Sequence, residues 1–67
     1  MLSIVITFKT GDKEELHASV FDEKCDKTLQ GHFGELCFLK KNHASFFSCG
    51  RIFIDLQEVI AIHLKNT

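Results

Sequence analysis

Gly50-Arg51-Ile52-Phe53-Ile54-Asp55-Leu56-Gln57-Glu58-Val59-Ile60-Ala61-Ile62-His63-Leu64 reads as a strand, a polar corner at Gln57-Glu58 and a second strand that runs on to Lys65. Apolar residues alternate on both sides of the corner, and a period of two is what a strand with one buried face requires. Upstream, Ala44-Ser45-Phe46-Phe47-Ser48-Cys49 continues the pattern. A bulge or bend at Gly50 would let one long strand change direction there. The stretch predicts a β-rich module and names no chemistry.

The N-terminus carries the same signal. Leu2, Ile4, Ile6 and Phe8 alternate with Ser3, Val5, Thr7 and Lys9, Thr10-Gly11-Asp12-Lys13 has turn chemistry, and Leu16, Ala18 and Val20 alternate with Glu15, His17 and Ser19. Two strands joined as a hairpin are expected.

The middle changes period. Phe21, Cys25, Leu29 and Phe33 lie four apart and would form one stripe on a helix, with Asp22 as its N-cap and Gly31 and Gly34 limiting its length. A short helix over residues 22 to 30 is predicted, with a structured loop as the competing conformation. Leu36-Cys37-Phe38-Leu39 reads as a strand buried on both faces, which Lys40-Lys41-Asn42-His43 turns back toward residues 44 to 49 as another hairpin. The predicted fold is therefore mainly β, of the α+β kind. It has about five antiparallel strands and one short helix, in a small partly open barrel or a ββαβββ sheet.

At 67 residues this is a single domain, of a size at which one core leaves little net stability and help from a disulfide, a metal or a second copy is usual. Cys25, Cys37 and Cys49 cannot all pair within one chain, and no secretory leader pattern opens the sequence. These features point to a reducing, cytoplasmic setting. The first apolar run ends at Phe8, far short of the ~20 residues that span a membrane, so a soluble protein with no membrane association is expected. A formal charge of −1 argues against a domain held on nucleic acid mainly by a positive field. Seven phenylalanines without Trp or Tyr supply apolar area and no polar handle. Several belong to a core and one or two to an interface.

Cys25, His32, Cys37, His43 and Cys49 contain the right ligand types for zinc but no close Cys-x2-Cys pair, so buried apolar cysteines are the preferred reading and neither metal nor cofactor is predicted. Pairing Cys25 or Cys49 with His17, His43 or His63 for nucleophilic catalysis would further require an orienting group and an oxyanion site that the sequence does not indicate. No catalytic residue is assigned and no enzyme is expected. Outward-phase His63 reads as a solvated side chain. Lys40, Lys41, Arg51 and Lys65, with Phe46, Phe47 and Phe53, are the residues a small single-strand-binding barrel would use.

Adjacent apolar residues point to opposite sheet faces at Phe46 and Phe47, Ile52 and Phe53, and Val59 and Ile60. One helix covers one face only, so barrel closure or a partner must bury the other. The chain has no proline to protect a strand edge, which favours a homo-oligomer.

Gly50-x-x-Phe53-Ile54-x-Leu56-x-x-Val59-x-x-Ile62 resembles the closing hairpin of many very short proteins of bacteriophages and mobile elements. A similar ending occurs in DNA-binding domains of the LytTR type, whose greater length this chain lacks. The phage-like resemblance implies an accessory protein that binds and modulates a macromolecule of the host or element. Function is thus expected to be that of a non-enzymatic protein-binding module, a phage-type inhibitor or regulator. Its contacts would use a sheet edge and the Phe47 or Phe53 face, with Lys40, Lys41 and Arg51 as further candidates. A small nucleic-acid-binding barrel is the alternative.

Overall fold

Leu2–Phe8 forms strand β1 and Lys13–His17 strand β2 in a computed structural model, which describes residues 2–21, 28–49 and 52–66. The two strands pair antiparallel with Ile4 opposite Leu16 and Ile6 opposite Glu14. Their turn is closed by Phe8 N–H donating to the Asp12 carbonyl at 2.8 Å and by Gly11 N–H donating to the Phe8 carbonyl at 2.9 Å. Gly11 sits at φ 92°, a conformation that side-chain-bearing residues rarely adopt. The expected hairpin is present, but its second strand stops at His17. Ala18–Val20, expected to extend it, forms a turn of 3-10 helix instead.

Helix α1 spans Leu29–Lys41. It corrects two expectations. Of the predicted helix at 22 to 30, only Leu29 and Gln30 are helical, and Asp22 and Cys25 lie outside the described residues. Leu36-Cys37-Phe38-Leu39, expected as a buried strand and the first arm of a hairpin, lies within the helix. The cap is Thr28, whose Oγ1 accepts from Gly31 N–H at 3.2 Å, so the first glycine stands in the first turn, where its N–H has a partner. Leu29, His32, Phe33, Leu36 and Leu39 face inward at helical spacing, with Leu36 fully buried and the His32 ring stacked on Phe21 at 4.1 Å. That packing outweighs the ~1 kcal/mol that a mid-helix glycine costs.

The helix ends at Asn42. His43, at φ 60°, donates N–H to the Lys40 carbonyl, and Ala44 N–H donates to the Leu39 carbonyl at 2.9 Å. This pair of bonds is the Schellman arrangement, here with histidine where glycine is usual. Of the predicted turn at 40 to 43, Lys40 and Lys41 belong to the last helical turn, where their charge complements the helix dipole.

Phe46–Cys49 (β3) and Ile52–Asp55 (β4) pair antiparallel, with Cys49 opposite Ile52 and Phe47 opposite Ile54. The chain reverses between them, so they form a hairpin and not the single bent strand expected there; Gly50 and Arg51 lie outside the described residues. Leu56–Glu58 makes the expected corner as a second turn of 3-10 helix, whose first N–H groups are served by the Asp55 carboxylate accepting from Gln57 N–H at 3.1 Å. Val59–Asn66 (β5) then returns antiparallel along β1. A register shift puts Ala61 opposite Thr7 and Val59 opposite Phe8, leaving Ile60 as the extra residue of a bulge and exposed.

Among the described residues the element order is ββαβββ, with one α-helix and five antiparallel strands, the strands divided between a β2-β1-β5 sheet and the β3-β4 hairpin. One core joins them: Ile4, Ile6, Leu16, Phe21, Leu36, Phe47, Ile54, Leu56 and Val59. Leu56 N–H donates to the Ser45 carbonyl at 3.0 Å and ties the corner to the entry of β3. No helix among the described residues is long and apolar enough to cross a membrane.

Candidate functional site

Pairing within the β3-β4 hairpin decides which phenylalanine meets solvent. Phe47 and Ile54 occupy the inward face, and Phe47 is only 2% exposed. This corrects its expected place at a contact surface: its ring is core. Phe46, Ser48, Phe53 and Asp55 occupy the other face, and there Phe46 is 55% and Phe53 68% exposed. The two rings stack with centroids 5.4 Å apart and planes 18° from parallel, near the favoured offset geometry. The sequence pattern puts Phe53 forward as a contact candidate and Phe46 only within the nucleic-acid set. A signal for the exchange was present in the polar Ser48 and Asp55, which share the phase of Phe46 and Phe53.

Beside Phe53, a surface hollow of about 300 Å³ is lined by Glu14, Val20, Ile52, Phe53 and Ile54. Val20 and Phe53 are exposed there, whereas Ile54 belongs to the core. Carboxylates border the apolar surface on two sides, Glu14 in the hollow and Asp55 directly across from Phe46.

Lys40 and Lys41 lie elsewhere. Lys40 Nζ donates to the Leu56 carbonyl at 3.0 Å and lines a separate hollow of about 380 Å³ with Lys9, His43, Ala44, Leu56 and Gln57. No residue is shared by the two hollows. Lys41 is exposed on the last turn of α1, and Arg51 lies outside the described residues. The structure therefore joins Phe53 to Phe46 and does not bring Lys40 into the same hollow.

The other face of the three-stranded sheet carries a polar cluster beside the buried Val5. Ser3 Oγ donates to Glu15 Oε2 at 2.6 Å, Lys65 Nζ stands 3.9 Å from Glu15 Oε1 and His17 Nε2 3.8 Å from Oε2. The Ser3 hydrogen bond, helped by the charges of Lys65 and His17 and opposed by partial desolvation, holds the Glu15 carboxyl below its ordinary range. Although serine, carboxylate and histidine meet here, the carboxylate takes the hydroxyl proton contact that a catalytic histidine would need, and Ser3 is buried. No activated nucleophile results. Cys37 and Cys49 are half-buried, Cys25 is outside the described residues, and His63 is exposed as expected. Among the described residues, no group of three or more His, Cys, Asp or Glu side chains is arranged to hold a metal.

Comparison with family models, with curated proteins and with solved structures found no match, so any functional reading rests on this chain's own residues.

Proposed function

We propose that the chain is a non-enzymatic protein-binding module, a small phage-type regulator or inhibitor, whose contact surface is the outward Phe46–Phe53 pair with the adjoining edge of β4. The observation that carries this reading is the stacked pair itself: two large rings, 55% and 68% exposed, side by side on one sheet face. Contiguous apolar surface rimmed by polar groups is how protein contact sites are built, and fully aromatic anchors concentrate binding energy. Phe offers no polar atom to satisfy in water, so burial against a partner is the arrangement these rings favour.

Self-association belongs to the same reading. Strand β5 is eight residues long, occupies an edge of its sheet and presents Ile60 to solvent, features that favour pairing with a second copy. Cys37, a half-buried thiol, fits a cytoplasmic setting. A nucleic-acid-binding module is the second reading, favoured because bases stack on exposed rings. Glu14 and Asp55 beside those rings weigh against it, since carboxylates repel phosphate.

Affinity capture from lysate of the native source, with and without nuclease, tests the two. A stoichiometric protein retained by the parent chain after nuclease, and lost with Phe46→Asp or Phe53→Asp while both variants stay folded, supports the module. Recovery of nucleic acid alone, released by nuclease and by rising salt, overturns it in favour of the second reading.

A further inference from the structure

The hollow beside Phe53 has a geometry that bears on what the partner is. Ile52, Phe53 and Ile54 are consecutive residues of β4, and consecutive strand residues point to opposite faces. One hollow can be lined by all three only where it borders the edge of the strand. That edge is unpaired among the described residues, because β4 is bonded to β3 on its other side. Glu14 forms part of the same lining and belongs to β2, which is itself the outer strand of its sheet. Two sheets thus approach each other through strands that do not pair, as in a barrel left open along one seam.

Glu14 sits in an unusual phase. It lies opposite Ile6 and on the same face as Leu16, both core residues, yet it is exposed. An inward-phase charge on an edge strand is a known obstacle to indiscriminate edge pairing. Among the described residues no cation pairs with Glu14, and no Lys, Arg or His lines the hollow. The rest of the lining among the described residues is apolar, with Val20 37% exposed.

Resting on the protein-binding reading above, we propose that this seam takes an extended segment of a partner protein that alternates apolar residues with Lys or Arg. The segment adds as a strand to the free edge of β4, giving its N–H and C=O groups partners. Its apolar side chains cover Val20, Ile52 and Phe53, and one cation meets Glu14. A volume of about 300 Å³ suits the side chains of a short strand and lies at the lower limit for a drug-sized ligand. A cation in this position also gains from the face of Phe53. Acidic segments and nucleic acid are turned away by Glu14, so the carboxylate selects among partners as well as attracting one.

The test is selection of unconstrained random decapeptides displayed on phage against the full chain, followed by synthesis of the most enriched peptide. Enrichment of alternating apolar and Lys or Arg residues is expected. Binding of the synthetic peptide should weaken at least about tenfold with Glu14→Lys, since like charges now meet, and should be abolished by N-methylating the alternate amides that face β4. Glu14→Gln, which removes the charge without reversing it, should give a smaller loss. Failure to enrich any peptide, enrichment of acidic ones, or binding indifferent to Glu14→Lys or to N-methylation overturns the proposal. Peptides that ignore Glu14→Lys but are lost with Phe46→Asp overturn the seam and leave the aromatic-pair reading standing. A chain that instead self-associates in sedimentation through a Glu14-dependent contact also overturns it, because the occupant is then a second copy.

Discussion

Replacing Phe47 and Phe53 separately by alanine separates core from contact surface, because the two rings differ in exposure and not in chemistry. Phe47 is 2% exposed and touches a closed core; emptying such a site costs about 3–5 kcal/mol, counting lost transfer energy and the cavity left behind. A chain of 67 residues has a total stability of about 3–10 kcal/mol at typical values per residue. Phe47→Ala therefore removes much or all of it. Phe53 is 68% exposed, so only about a third of the ~1.5–3 kcal/mol for burying a whole side chain is at stake, or ~0.5–1 kcal/mol. Loss of stacking on Phe46 adds about 0.5–1.5 kcal/mol. Equilibrium urea unfolding followed by far-UV circular dichroism reads both. With a slope of about 1 kcal/mol per molar urea, Phe53→Ala should lower the midpoint by about 1–2.5 M. Phe47→Ala should lower it by about 3–5 M or leave no folded baseline. Adding Phe46→Ala and the double variant closes a cycle whose coupling isolates the ring pair. Equal losses at positions 47 and 53 would refute the assignment of faces, and with it the contact surface built on Phe46 and Phe53.

Three further outcomes follow from the backbone and the polar face. Gly34→Ala should stabilise by about 0.5–1 kcal/mol, because a Cβ built there meets nothing within 4 Å; a lower urea midpoint would show that the helix face is occupied. His43→Gly should raise stability by about 1 kcal/mol, since φ 60° is strained for histidine and unstrained for glycine, and a thermal melt would show it as a gain of about 4–8 °C. Ser3→Ala should let the Glu15 carboxyl return toward its ordinary range, readable by NMR titration of its side chain. Because folding depresses this carboxyl, its contribution to stability is present above the ordinary carboxylate range and fades as pH falls through the lowered folded value. The fading step should shrink in Ser3→Ala, and an unchanged acid limb would dissociate the hydrogen bond from the shift.

How much of this was legible varied along the chain with the kind of signal each segment carries. In β1 and β5, residues 2 to 8 and 59 to 65 alternate long enough to identify themselves, and Thr10-Gly11-Asp12 announced a turn that Gly11 makes with positive φ. Leu36-Cys37-Phe38-Leu39 did not identify itself, since a short apolar run fits a buried strand or a buried helical segment equally well. Gly31 and Gly34 read as helix limits, yet Thr28 caps the helix ahead of them and Leu36 anchors it in the core. Lys40 looked like a free turn cation and is hydrogen-bonded to a backbone carbonyl brought close only by folding.

By itself, then, the sequence determined a mainly β domain with one helix, opened by β1 and closed by β5, because hydrophobic periodicity and turn chemistry act over a few residues and need no distant partner. Tertiary structure alone decided how deeply Phe47 is buried, where the helix begins, and that β2 and β4, each paired on one side, do not pair with each other among the described residues. Each of these depends on what lies across from a residue in space. Phe46 and Phe47 differ in the sequence only by the polar Ser48 and Asp55 that share the Phe46 phase, and they part in environment once β3 pairs with β4 and one face of the hairpin joins the core.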